Sequence, residues 1–349
     1  MKRCAVLQFN MIDGNTANLT RAACCREGNT NVRGKRERMA KYVLKRLLLL
    51  IPIVLGISFI IFTIMDLTPG NPARLILGPD ATAEAVEQLT EEMGLNRPFL
   101  TRFADYVVTA VTKLDFGQSY RTQKPVFNEV LSRFPVSLKL AAVSTLFAVL
   151  VGIPLGVFSA THQYSVADQI LRVGSMFFVA VPPFWFAMML ILVFALNLGW
   201  LPTSGNASWQ CYILPMITLG MPYGGKFLRI TRSTMLEVVR QDYITTAKAK
   251  GVPGRVITYR HALKNALLPV ITTVATSFGG LLGGAIITES VFNMNGLGSL
   301  VVLSIKMKDS PTVMAAIILL AVMFTIIMLI VDLIYAFIDP RIKAKYAKG

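Results

Sequence analysis

Three groups of residues in this 349-residue chain could do chemistry, and none completes a constellation. Residues 220–227, GMPYGGKF, meet every position of the phosphate-cradling pattern G-x-x-x-x-G-K-[ST] except the last. Phe227 stands where a hydroxyl would hold magnesium, and no strand precedes the loop, so these glycines are expected to serve helix packing or bending. The only histidines, His162 and His261, have no Ser, Cys or carboxylate set around them for nucleophilic catalysis. Cys4, Cys24, Cys25 and Cys211 form no Cys-x-x-Cys pair and have no histidine at metal spacing, which makes them unpaired thiols. The chain is therefore read as having no catalytic, cofactor or metal residues.

Residues 242–269, DYITTAKAKGVPGRVITYRHALKNALLP, offer a surface instead. They are polar and basic, between two strongly apolar stretches. Tyr243, Ala247 and Gly251 recur every four residues and so line one face of a helix. The two small residues leave that face shallow enough to enter another protein's groove. Gly251 and Pro253 end the helix. A second helical run, roughly 255–265, leads to Pro269 and back into apolar sequence. A short helix strung between two membrane spans cannot bury itself within this chain alone, so it is expected to be gripped from the cytoplasm.

The elements that must carry this segment are membrane helices. The chain is 54% hydrophobic and 15% charged, with a mean hydropathy of +0.57, whereas soluble domains carry about a quarter charged residues. The net charge of +16 is spread over membrane flanks and loops. That distribution fits a positive-inside topology and not a nucleic-acid surface.

Residues 1–38 are polar, without helical or strand period, and read as a disordered extension. Met39, opening MAKYVLKRLLLLIP, is expected to be the initiator. Residues 39–65 contain the first span, with an uncharged run at 47–65 behind Lys41, Lys45 and Arg46, which hold the N-terminus in the cytoplasm. Residues 66–135 are an external segment with two helices, one starting near Asp80 and one over 97–113. Residues 136–341 hold five more spans: 136–160, 170–198 as a single kinked span at Pro182-Pro183, 213–230, 269–287 and 312–338. Gly152 and Gly156, and Gly279 to Gly284, provide small faces for close helix contact. Residues 231–268 form a strongly basic cytoplasmic loop, and 342–349 a cytoplasmic tail. The class is an all-α integral membrane protein of six transmembrane helices, with a helical external segment between the first two and both ends inside.

The sub-pattern DYITTAKAKG…HALKNALLPV resembles the EAA loop of the permease subunits of ABC importers, and in particular the dipeptide/oligopeptide branch. The resemblance continues through TPGNPA (68–73), DFGQSY (115–120), GWLPTSG (199–205) and ESVFNMNGLG (289–298), and covers about residues 39–341. There are departures. Thr245-Thr246-Ala247 stand where Glu-Ala-Ala names the loop, and the gap from Gly251 to Pro269 is longer than in sugar-type permeases. Asn295 stands where the branch commonly has proline.

The resemblance implies the type I ABC importer permease fold in a bacterial inner membrane. It makes Asp242, Tyr243, Thr245, Thr246, Ala247, Gly251 and Pro269 the residues that couple to an ATPase. Glu289, Asn293, Gly296 and Gly298 become candidates for an external gate. It implies a transport subunit and not an enzyme, with ATP and magnesium bound by two partner ATPase subunits. A homologous second permease and an external solute-binding protein complete the assembly. The implied cargo is a di- or oligopeptide, with nickel, glutathione or another small solute as alternatives in similar permeases. An ion-coupled secondary transporter is the distant alternative. Against it, no internal repeat is evident and the deep charges are few, with Glu289 and Asp332 near span ends.

Overall fold

In a bilayer an apolar run must satisfy its backbone within itself, which leaves the helix as its only open-chain solution. The computed structural model describes residues 48–338 except 69, 79 and 114, and these are helical apart from connecting turns and one isolated bridge, Gln118 with Pro125. The expectations for 1–38, for Met39 and the start of the first span, and for 342–349 lie outside the described residues.

Twelve helices follow in order among the described residues, besides one 3-10 turn at Trp209–Tyr212. They are α1 (Leu48–Leu67), α2 (Pro72–Leu77), α3 (Ala83–Glu92), α4 (Phe99–Lys113), α5 (Val126–Thr161) and α6 (Val166–Ala180). After these come α7 (Pro183–Asn197), α8 (Ile213–Val239), α9 (Asp242–Ala249), α10 (Gly254–Val291), α11 (Leu297–Lys306) and α12 (Ser310–Ile338). The contacts below lie within one unit, Val54–Asp339.

Helices α1, α5, α10 and α12 are long and apolar enough to cross a membrane, and α6 with α7 meets the same test as a pair bent by 105°. The expected single kinked span at 170–198 is thus two helices. Pro182 ends one and Pro183 starts the next, because neither proline can donate to the helical ladder. Helix α8 falls short of the apolarity of a lone span. It is nonetheless 27 residues long, about 40 Å at 1.5 Å per residue, and it packs against α5, α6, α7 and α10. Counted with the others it makes the fold compatible with six spans.

Close helix contact is made where the small residues lie. A methyl group at Gly152 would stand 2.5 Å from the Gly224 carbonyl oxygen, and one at Gly156 would stand 2.8 Å from that of Leu228, so α5 and α8 touch backbone to backbone. Gly220 and Gly225, from the near-match to a phosphate loop, meet Ser144 of α5 and Ser175 of α6 in the same way. They are helix-packing residues inside α8.

Several boundaries differ from the sequence reading. Helix α5 starts ten residues before the expected 136 and runs through Pro135. Its first turns bury Val126 and Val130 against Leu297, Leu300 and Val301 of α11, and that packing outweighs the one bond proline removes. Helices α2 and α11 stand in stretches to which the sequence reading assigned neither a span nor an external helix. In α2, Asn71 caps Ala73 N–H at 2.9 Å and Pro72 occupies the first helical position, a start signal the sequence reading passed over. Helix α3 begins after Thr82, two residues beyond the expected Asp80 start. The run at 255–265 is the beginning of α10, continuous through Pro269.

Candidate functional site

Helix α9 occupies the segment singled out by its polarity. Gln241 enters it in extended conformation, Asp242 lies in the first turn and Lys248 in the last, each matching the helix dipole. Its end is a Schellman turn. Gly251 takes φ 74°, its N–H reaches Lys248 O at 2.9 Å, and Val252 N–H reaches Ala247 O at 3.2 Å.

One face of α9 is anchored in the chain itself. Ile244 is fully buried with Val157 of α5, Met235 of α8, and Ile257, Ala262 and Ala266 of α10. Ala247 is half-buried against the same cluster. Asn265 Nδ2 donates to the Tyr243 hydroxyl at 2.8 Å. The helix therefore buries one edge at home while most of it stays exposed, and the line through Tyr243, Ala247 and Gly251 is not wholly outward. A side chain three residues from Ile244 shares its face, which the i, i+4 count overlooked. Asp242, Thr245, Thr246, Lys248, Ala249 and Lys250 remain exposed. Gly251 is also exposed, with nothing within 4 Å of where a methyl group would sit. Pro269 lies inside α10, three residues beyond Ala266 of the Ile244 cluster, and is itself exposed.

At the opposite end of α5 a second group assembles. Helix α11 begins at Gly296, which has no side chain to cap it. Glu289, fully buried at the end of α10, supplies the cap, accepting from Gly298 N–H at 2.7 Å and Ser299 N–H at 3.3 Å. Any side chain at Gly296 would collide with that carboxylate, and one at Gly298 would collide with the Ile286 backbone. Asn293 turns the chain outside this corner in the left-handed region, φ 47°. Three of the four proposed gate residues are thus brought together in one packed corner, and Asn293 forms its outer turn.

The other quoted motifs meet the chain at the two ends of α11. Gly205 N–H donates to Phe292 O at 2.9 Å, and Leu297 N–H donates to Ser137 Oγ at 2.8 Å. Asp309, buried before α12, accepts from Ser119 Oγ at 2.5 Å, Tyr120 N–H at 3.1 Å and Thr312 Oγ1 at 2.7 Å. Lys308 Nζ donates to Thr68 O at 3.0 Å. Burial, and after it the charge of Asp309, pushes the Tyr120 phenol above its ordinary pKa. Helix α4 is held on α1 by Phe99 and Phe103 against Phe59 and Phe62, with ring centroids 5.2 to 5.8 Å apart.

Sequence reasoning missed Asp168. Its fully buried carboxylate accepts from Arg232 Nε at 2.8 Å and Nη2 at 2.9 Å, from Tyr164 N–H at 3.1 Å, and from Ser159 Oγ. One acid thereby ties α5, α6 and α8 beside α9. The signal was present in Ser165-Val166-Ala167-Asp168, a helix-start pattern in which Ser165 accepts from Asp168 N–H at 3.1 Å. Of the histidines, His162 closes α5, its Nδ1 3.1 Å from Phe158 O and its ring stacked on Phe158.

Two sequence models match the chain. "Binding-protein-dependent transport system inner membrane component" covers residues 152–344, and the N-terminal component of the same systems covers residues 39–141. The glutathione transport system permease protein GsiC of Escherichia coli K12 is 41% identical over 307 residues, 88% of this chain and all of that protein. The protein of the same name from Salmonella typhi matches equally. Among solved structures, the MetNI methionine ABC transporter in inward-facing conformations superposes with a TM-score of 0.51. That match has 18% identity and covers 60% of this chain and 96% of the other, a likeness of fold.

Proposed function

The chain belongs to the binding-protein-dependent transport system inner membrane components, and from that premise we propose that it imports small peptides, glutathione first among them. It is a permease subunit of an ABC importer. In our reading it contributes half of a translocation path, beside a homologous permease. Two ATPases sit on its cytoplasmic side, and an external binding protein delivers the cargo. ATP and magnesium are held by the ATPases, and both ends of the chain lie in the cytoplasm.

One observation carries the mechanism. Helix α9 is fixed by Ile244 to α5, α8 and α10 together, while Asp242, Thr245, Thr246, Lys248 and Ala249 stay exposed. A partner that gripped that outer face would move three membrane helices at once. ATP binding that draws two such helices together would then shift the path between inward and outward access, the differential contact any switch requires. The corner around Glu289 would hold the external ends of α10 and α11 in register during that movement. The relatives named as glutathione permeases support the choice of cargo; dipeptides and nickel are the competing cargoes.

The test is uptake by the assembled transporter in proteoliposomes, with labelled glutathione, labelled alanyl-alanine and nickel ion compared. ATP-driven accumulation of glutathione after the ion gradients are collapsed is the expected result. Accumulation of nickel alone would overturn the peptide reading, and accumulation that tracks an ion gradient would overturn the ABC mechanism.

A further inference from the structure

One face of α8 carries charge that anchoring in a bilayer does not require. Lys226 is the middle residue of the 27 in α8. Arg229, Ser233 and Arg240 follow it at i+3, i+7 and i+14, which keeps all four on one stripe. Two cavities open along that stripe and share Arg229. The first, about 370 Å³, is bounded by Pro183 of α7, Tyr223, Lys226 and Arg229 of α8, and Gly284 of α10. The second, about 620 Å³, is bounded by Arg172, Arg229, Arg232, Glu237, Arg240 and Gln241, the residue that enters α9.

These cations are not equally engaged. Arg232 is committed to Asp168, and Arg172 Nε lies 3.8 Å from the same carboxylate. Among the described residues Lys226, Arg229 and Arg240 form no ion pair, and Lys226 Nζ donates to Ser277 Oγ at 3.1 Å. Glu237 is the single carboxylate on either wall. Lys226 and Arg229 fall within the expected span 213–230, where a cation carries a desolvation penalty unless it faces a wet cavity, and such residues mark solute paths. Walls of one sign in a low-dielectric setting concentrate the opposite charge.

We propose that this stripe of α8 is a wall of the translocation path and that it selects small peptides of net negative charge. Lys226 receives a substrate carboxylate first. Arg229, less than one turn along, receives it next through a planar fork suited to carboxylates. The second cavity is the way out toward α9. Successive weak sites let the solute leave as readily as it enters. This inference rests on the reading of the chain as a peptide-importing permease and adds the charge class and the residues that read it.

The experiment uses the assembled transporter in proteoliposomes. Lys226→Gln and Arg229→Gln should each lower glutathione uptake about tenfold, against less than about threefold for zwitterionic alanyl-alanine, the scale of one lost charge-assisted hydrogen bond. Equal loss for both peptides, or loss for neither, overturns the proposal. A second measurement does not depend on those variants folding. With the native cysteines replaced, Ser233→Cys should react about tenfold faster with an anionic than with a cationic methanethiosulfonate of similar size, and glutathione should slow both. Equal rates overturn the proposal even in a transporter that carries neither peptide, whereas a wild-type transporter that carries neither peptide but keeps the rate difference overturns only the peptide reading. If labelling follows the anionic-lipid content of the liposomes and not glutathione, the stripe holds lipid headgroups and the proposal falls.

Discussion

Gly251 and Asp168 are the residues at which a single substitution separates folding from coupling. Gly251 lies at φ 74° with open space around it, so its requirement within the chain is conformational, and an ordinary side chain there meets about 1–2 kcal/mol of left-handed strain. Asparagine tolerates that region. We expect Gly251→Asn to insert and keep the wild-type melting temperature, and Gly251→Arg to insert but lose its ATPases on co-purification. ATPases retained by the arginine variant would remove Gly251 from the contact. Ala247→Arg is the poorer probe, because Ala247 packs against the Ile244 cluster and the variant would disturb this chain as well. Asp168→Asn leaves Arg232 half-buried without its counter-charge, a loss of about 3–5 kcal/mol for breaking such a pair. A lower melting temperature of the purified protein in detergent is the expected readout, partly restored when Arg232→Met is added.

At the scale of elements, α8 is the helix against which the others are set. Its glycines meet α5 and α6, its Arg232 binds Asp168, and its last turns bury Met235 beneath α9. Gly156→Leu would drive a side chain into Leu228 and Thr231 at the α5–α8 contact. Overpacking of this kind destabilises by about 1–3 kcal/mol. The expected outcome is a sharp fall in monodisperse protein on size exclusion, whereas Leu150→Ala, on an exposed part of α5, should leave the profile unchanged. Helix α11 depends on a carboxylate from another helix. Glu289→Ala removes the cap of Gly298 and Ser299, which is worth about 0.5–2 kcal/mol, and leaves the Glu289 site empty beneath Gly296. Hydrogen exchange at residues 297–300 should quicken first. Unchanged exchange would show that the carboxylate does not hold this helix.

For the whole molecule the decisive property is which way it faces. The basic stretch 231–268 predicts that α9 lies in the cytoplasm and α3 outside. A cysteine at Glu87 in a cysteine-free background should react with an impermeant reagent in spheroplasts, and one at Lys250 should not; the reverse pattern would invert the topology. Much of this architecture was legible in the chain. Hydropathy alone locates five of the six expected spans, because a bilayer rejects any segment that is not apolar. The Gly251 turn was equally legible, because backbone geometry is local. The span expected at 213–230 falls short by hydropathy, and the length and neighbours of α8 are compatible with it, since a helix wrapped by others can carry lysine and arginine. What the sequence could not determine was pairing across distance. Asp168 with Arg232 lie 64 residues apart, Ser119 with Asp309 lie 190 apart, and Ala247 turns inward only because Ile244 finds α5, α8 and α10 waiting. A charge or a small residue reads alike in one dimension whether it meets water, lipid or a partner; only the packed helices decide which.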